Sequence, residues 1–130
     1  MEDAISPVLR LIGVQSAVYF QREFSAPWGM DVRDTGFAQF HLIVQGKAVL
    51  IDDANNSIEL GTGDIVVYPT GAAHRICDCV DTEAEPGQKV VQAIMTGTQA
   101  FAGDGVATRL ICGHFDFDLG SGPIDFRQAA

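Results

Sequence analysis

The 130-residue sequence is short of basic residues and cysteines, and it has no long apolar run. Eight lysines and arginines stand against 17 aspartates and glutamates, which gives a formal net charge of −9. Because so acidic a surface repels phosphate backbones, we do not expect this chain to bind nucleic acid directly. A membrane-spanning helix needs about 20 predominantly apolar residues in a row, and no run here approaches that length. Neither a nucleic acid nor a membrane is therefore an expected partner.

Several common signatures of enzymes are also missing. The sequence contains no glycine-rich phosphate loop leading into a helix and no Gly-x-Ser-x-Gly element. Its three cysteines, an odd number, fit a reducing compartment. Cys77 and Cys79 are interpreted as ordinary thiols, since a disulfide between such near neighbours would be strained. No basic and apolar leader opens the sequence, so the expected location is the cytoplasm.

What is present is a series of short apolar segments separated by turns rich in glycine, asparagine and aspartate. They recur roughly every 8–12 residues, a spacing typical of antiparallel sandwiches and barrels. Asp81–Gln88 and Thr96–Gly105 are predicted loops, and no convincing helix of ten residues is expected. Val8–Val18 alternates imperfectly but favours strand over helix, and the tail Gly120–Ala130 has a weak pattern. We predict one all-β barrel domain over residues 1–130. Its expected strands are Ala17–Phe24, Gln39–Gln45, Lys47–Ile51, Ile58–Leu60, Ile65–Tyr68, His74–Val80, Lys89–Met95 and Val106–Asp118.

The most informative segment is Gly63–His74, GDIVVYPTGAAH. Proline fixes φ and glycine allows a tight reversal, so Pro69-Thr70-Gly71 predicts a sharp corner just before His74. The spacing Gly-x5-Pro-x-Gly-x2-His resembles the second signature of the cupin superfamily, although Asp78 stands where that signature often has asparagine. The resemblance implies a cupin-type antiparallel β-barrel, or jelly roll, with His74 pointing into the barrel mouth.

The first cupin motif, which supplies most of the metal ligands in that superfamily, is broken here. Gln39 occupies the glutamate position, and no histidine lies within Val32–Thr35. Since alternate residues of a strand share a face, His41 lies on the face of Gln39 and could meet His74. A site of His41, His74 and either Cys112 or His114 would suit a divalent metal such as zinc. The alternative is that these histidines are hydrogen-bonded residues of the core or the pocket rim.

Four segments together resemble a particular cupin subgroup, the N-terminal sensor domain of AraC-type transcription regulators. That resemblance implies that the domain binds a small-molecule effector and forms a homodimer. It also implies that a separate helix-turn-helix domain, absent from this chain, contacts DNA. The segments are Val18–Gly29, Phe40–Gly46, Gly61–His74 and Thr108–Asp118.

The leading hypothesis is thus a non-enzymatic sensor domain. Its predicted pocket residues are Trp28, Gln39, His41 and His74, although for Trp28 a core position is the favoured interpretation. One alternative is a metal-dependent cupin enzyme, an oxygenase or isomerase, that uses His41, His74 and His114 or Cys112. Another is a purely structural dimerisation module, since exposed strand edges pair readily.

Overall fold

A computed structural model describes residues 16–33, 36 and 38–115. Within them the chain folds into short strands joined by tight turns, with one helix. Within these residues the chain forms nine strands and places the helix between the last two of them. The elements are β1 (Ser16–Ser25), β2 (Gly29–Val32), β3 (Gln39–Gln45), β4 (Lys47–Asp52), β5 (Ser57–Gly61), β6 (Ile65–Tyr68), β7 (His74–Cys77), β8 (Glu85–Pro86), α1 (Gly87–Met95) and β9 (Ala107–Phe115).

The strands form a four-stranded sheet, in the order β1-β9-β3-β6, and a five-stranded sheet, in the order β5-β4-β7-β2-β8. Every pairing is antiparallel except that of β2 with β8. Alternate side chains of both sheets contribute to one buried cluster, so the two sheets pack face to face. The predicted all-β class and antiparallel jelly-roll architecture are confirmed. The cluster contains Phe24, Trp28, Met30, Ile43, Ala48, Leu50, Leu60, Ile76, Val90, Leu110 and Cys112.

The corner predicted between Tyr68 and His74 is confirmed. β6 ends at Tyr68, the amide of Gly71 donates to the carbonyl of Tyr68 at 3.0 Å, and β7 begins at His74. Gly71 has a φ of 72°, in the left-handed region that glycine adopts without a Cβ penalty. The proline and glycine of this corner therefore place His74 at the first position of a buried strand.

The predicted strand Lys89–Met95 is wrong, because the chain forms the helix α1 there. The β-branched residues favoured a strand, but Val90, Val91 and Ile94 are spaced so that they share one helical face, which packs on the core. The loop predicted at Asp81–Gln88 also contains β8, which pairs with β2. Nothing in the described part of the chain is a helix long and apolar enough to cross a membrane.

Other element boundaries differ from the predictions by a few residues. β7 ends at Cys77 rather than Val80, and β2 forms at Gly29–Val32, where the sequence predicted no strand. The predictions for residues 8–15, for residues 116–118 and for the tail Gly120–Ala130 lie outside the described residues.

A close approach between two loops leads to a prediction about stability. The amide of Ala26 donates to the carbonyl of Val106 at 3.0 Å, and the amide of Gly105 donates to Ala26 O at 2.9 Å. A Cβ at Gly103 would overlap Ala26 O and lie 2.6 Å from its carbonyl carbon, and backbone atoms cannot easily move away. We expect Gly103→Ala to lower the free energy of unfolding by about 1–3 kcal/mol in urea denaturation.

Gly61→Ala is the matched control for this experiment, since a Cβ there would have no heavy atom within 4 Å. Its free energy of unfolding should stay close to that of the wild type. Equal stability of the two variants would contradict the tight loop packing.

Candidate functional site

Polar side chains collect at one end of the space between the sheets. On β3, Gln39 lies opposite Tyr68 of β6 and opposite His114 of β9, while His41 lies opposite Cys112. Residues paired across neighbouring strands share a face of the sheet, and here that face is turned to the other sheet, from which His74 approaches. We refer to the set as the polar cluster: Gln39, His41, Tyr68, His74, Cys112 and His114.

Three members of the polar cluster are joined by hydrogen bonds whose direction can be deduced. Nδ1 of His74 lies 2.8 Å from the carbonyl oxygen of Ala72, which can only accept. A neutral His74 therefore carries its proton on Nδ1, and its Nε2 accepts from Nε2–H of His41 at 2.7 Å. Nδ1 of His41 is then an acceptor for the thiol of Cys112, whose Sγ lies 3.0 Å away.

Burial keeps this set of side chains uncharged at neutral pH. Desolvation, together with the nearby His74, lowers the pKa of His41 well below its ordinary value. Desolvation lowers the pKa of His74 to about 4, against the opposing effect of its hydrogen bond to Ala72. Desolvation also raises the pKa of the Cys112 thiol, and it raises the pKa of Tyr68 to about 12, with a smaller contribution from Asp52.

Tyr68 belongs to the cluster although the sequence interpretation did not select it. Its ring stacks on that of His74, with centroids 3.7 Å apart and planes 3° from parallel. The ring of His41 packs edge-on against both, at centroid distances of 5.0 Å to His74 and 6.4 Å to Tyr68. The signal was present in the sequence, since Tyr68 is the last residue of the strand before Pro69.

The structure brings some of the predicted site residues together and leaves one apart. His41, His74 and Cys112 are in hydrogen-bond contact. Trp28 precedes the end of β2 that pairs with Cys77, whereas His74 pairs with Val32 at the opposite end. The Trp28 ring packs on Phe24, with centroids 5.5 Å apart, and it is buried in the core. The role of Trp28 in a pocket stays a prediction, and the geometry does not place it beside the histidines.

The donor set predicted for zinc does not fit a single metal centre in this arrangement. His41 directs Nε2 toward His74 and Nδ1 toward Cys112, so its two neighbours lie on opposite sides of its ring. Zinc–nitrogen bonds of about 2.0–2.1 Å at tetrahedral angles hold two nitrogens about 3.3 Å apart, against 2.7 Å here. Across residues 16–33, 36 and 38–115, no three or more His, Cys, Asp or Glu side chains are grouped to hold a metal ion.

Comparison with known proteins places the chain among cupins. A family model described as Cupin matches residues 3–124. A cupin superfamily protein from Desulfitobacterium hafniense DCB-2 has 21% identity and a TM-score of 0.40, over 72% of this chain and 62% of its own. An RmlC-like cupin protein from Desulfovibrio desulfuricans has 9% identity and a TM-score of 0.40, over 78% of this chain and 84% of its own. The chain thus spans under two thirds of the first protein. No curated protein matches it.

The donor geometry predicts weak zinc binding. After incubation with equimolar zinc and dialysis against metal-free buffer, the wild type should retain well below one zinc per chain by mass spectrometry of the metal. His74→Ala should behave similarly. The exposed thiol of Cys79 is removed by Cys79→Ser as a control for surface binding. One zinc per chain that survives in Cys79→Ser and disappears in His74→Ala would contradict this prediction and favour the metal-dependent enzyme.

The buried histidines predict a loss of stability in mild acid. The pKa of His74 is about 4 in the folded protein and ordinarily about 6.5. The unfolded chain therefore takes up a proton that the folded chain excludes, so stability present above pH 6.5 is lost as the pH falls toward 4. The contribution of His74 is about 3 kcal/mol at about 1.4 kcal/mol per pKa unit, and His41 acts in the same direction.

Urea denaturation between pH 7 and pH 4.5 measures this effect. The carboxylate of Asp52, whose pKa is lowered by hydrogen bonds from Asn56, loses its contribution below that range. His74→Gln removes one titrating ring, so its stability should fall less steeply with pH than that of the wild type. A wild-type profile that is flat over this range would contradict the neutral buried pair.

Proposed function

Because the chain belongs to the cupin family, we propose that its barrel binds a small-molecule effector at the polar cluster and does so without catalysis. The observation that carries the proposal is the convergence of polar side chains from β3, β6, β7 and β9 at one end of an interior that is mostly apolar. Sites for small molecules commonly combine an apolar lining with a few convergent polar groups.

The protonation states of the cluster support binding rather than nucleophilic catalysis. Cys112 and His41 are adjacent, but a cysteine nucleophile must become a thiolate, and burial raises the pKa of Cys112. The pKa of His41 and that of His74 are lowered, so neither of these rings supplies a positive charge that would favour a thiolate at neutral pH. The pair therefore acts as a fixed, uncharged wall of the proposed pocket.

The finer part of the proposal is a sensor domain of the AraC type, in which effector binding is coupled to dimerisation. Its support is the likeness of four segments. Of these, Gly61–His74 includes all of β6 and the start of β7, and Thr108–Asp118 includes most of β9. An edge strand, β5, carries Ile58 with 45% of its surface exposed, and such an edge can pair with a second copy. In this proposal DNA is contacted by a segment other than this acidic chain.

A thermal-shift screen with a broad panel of small metabolites tests the proposal. A ligand at about 100 times its Kd adds about 2.7 kcal/mol of stability, which corresponds to several degrees in Tm. We expect at least one compound to raise Tm in the wild type and in the surface variant Gln45→Ala. The shift should be reduced or absent in His41→Ala. Sedimentation equilibrium with that compound should then show a changed proportion of dimer.

Two outcomes would contradict the proposal. A panel that leaves the Tm of the wild type unchanged would remove the support for an effector site. Shifts of the same size in wild type and His41→Ala would place binding away from the polar cluster.

A further inference from the structure

The side-chain oxygen of Gln39 lacks a hydrogen-bond donor within the described residues. Gln39 is buried, with 5% of its surface exposed, and its Oε1 has no partner in that part of the chain. A buried acceptor without a donor loses its hydrogen bond to water and gains nothing in return. Such an atom is an unfavourable feature for stability alone, and a ligand donor would remove the penalty.

The place of Gln39 makes it accessible to a molecule bound at the cluster. It is the first residue of β3 and lies between two cross-strand neighbours, Tyr68 and His114. Both neighbours are only half-buried, whereas His41, His74 and Cys112 are buried. The cluster therefore comes closest to solvent beside Gln39.

The hydrogen-bond chain has no proton to give to a ligand. The thiol of Cys112 donates to His41, Nε2–H of His41 donates to His74, and Nδ1–H of His74 donates to Ala72 O. An acceptor group that took a proton from this chain would have to break one of these three bonds. A donor group would instead meet Oε1 of Gln39, which has no partner among the described residues.

Charge further narrows the class of ligand. His41, Tyr68, His74 and Cys112 are uncharged at neutral pH. The basic residue whose charge reaches His74, Arg33, is paired with acidic residues. Its Nε lies 2.8 Å from Oδ1 of Asp31, and its terminal nitrogen lies 3.3 Å from Oδ1 of Asp53. A carboxylate or phosphate buried here would lose its hydration without gaining a counter-charge, which is strongly unfavourable.

From these observations we infer that the effector is an uncharged molecule with an N–H or O–H group, which donates a hydrogen bond to Oε1 of Gln39. This inference rests on the proposed effector-binding function and specifies its ligand class. Gln39 then selects for a donor on the ligand, and the uncharged surroundings select against anions.

Replacing the amide tests the inference first without any ligand. Gln39→Leu keeps a similar size and removes the unpaired oxygen, so its Tm should equal or exceed that of the wild type. Gln45→Leu makes the same change at an exposed position of the same strand and controls for the substitution itself. If the Tm of Gln39→Leu lies several degrees below the Tm values of the wild type and of Gln45→Leu, the amide oxygen already has a hydrogen-bond donor in the fold. That outcome would overturn the inference.

Binding of matched fragments provides the second test. The probes are benzamide and nicotinamide, their N,N-dimethyl derivatives, and benzoate and nicotinate, measured by saturation-transfer NMR on the full chain. The primary amides should bind, the dimethyl forms and carboxylates should bind several-fold more weakly, and Gln39→Leu should weaken the amides about tenfold. Gln45→Leu should bind as the wild type does.

The outcomes separate this inference from the function on which it rests. Three outcomes would each overturn the assigned ligand class. They are carboxylates that bind as well as the amides, amides whose affinity is unchanged by Gln39→Leu, and no binding by any of the six fragments. Hits from the wider metabolite panel that depend on His41 would leave the effector-binding function standing in all three cases.

Discussion

The hydrogen bond between His41 and His74 joins the two sheets at the polar end of the core, and its geometry depends on a single backbone carbonyl. His41 belongs to the four-stranded sheet and His74 to the five-stranded sheet. Because Ala72 O can only accept, it fixes the proton of His74 on Nδ1, and this in turn fixes the protons of His41 and Cys112. The corner that ends at Gly71 leads directly into Ala72, so local turn chemistry determines the protonation pattern of a site built from distant strands.

An uncharged interior inside a strongly acidic protein follows from the same arrangement. Two neutral rings and a thiol that satisfy one another avoid the large desolvation penalty that a buried charge would carry. The stacked ring of Tyr68 covers His74 and adds to that burial. Two acidic groups near the site, Asp31 and Asp53, are instead paired with Arg33 outside the cluster. Polar side chains thus remain in the core, while charged side chains lie at its edge.

The sequence was a good guide wherever structure is set locally. The corner before His74 follows from proline and glycine, and the common face of Gln39 and His41 follows from strand alternation. It was a poorer guide where distant pairing decides. The register of β2 with β7, which separates Trp28 from His74, is set by packing across the sheet. The valines of the nine-residue helix α1 favour a strand, but tertiary packing outweighs that propensity. Ring orientation, which decides between a metal centre and a hydrogen-bond chain, has no sequence signal.

The neutral amide of Gln39 also affects what His41 and His74 can do. A carboxylate at this position would place a negative charge near His41 and favour a positively charged ring or a bound cation. With a neutral amide there, desolvation dominates and lowers the pKa of His41 and that of His74. The histidines then bond to each other and to a carbonyl, and the amide oxygen is left without a donor in the described chain. An amide at position 39 therefore does more than withhold a metal ligand, because under the proposed function it presents a hydrogen-bond acceptor in an uncharged site.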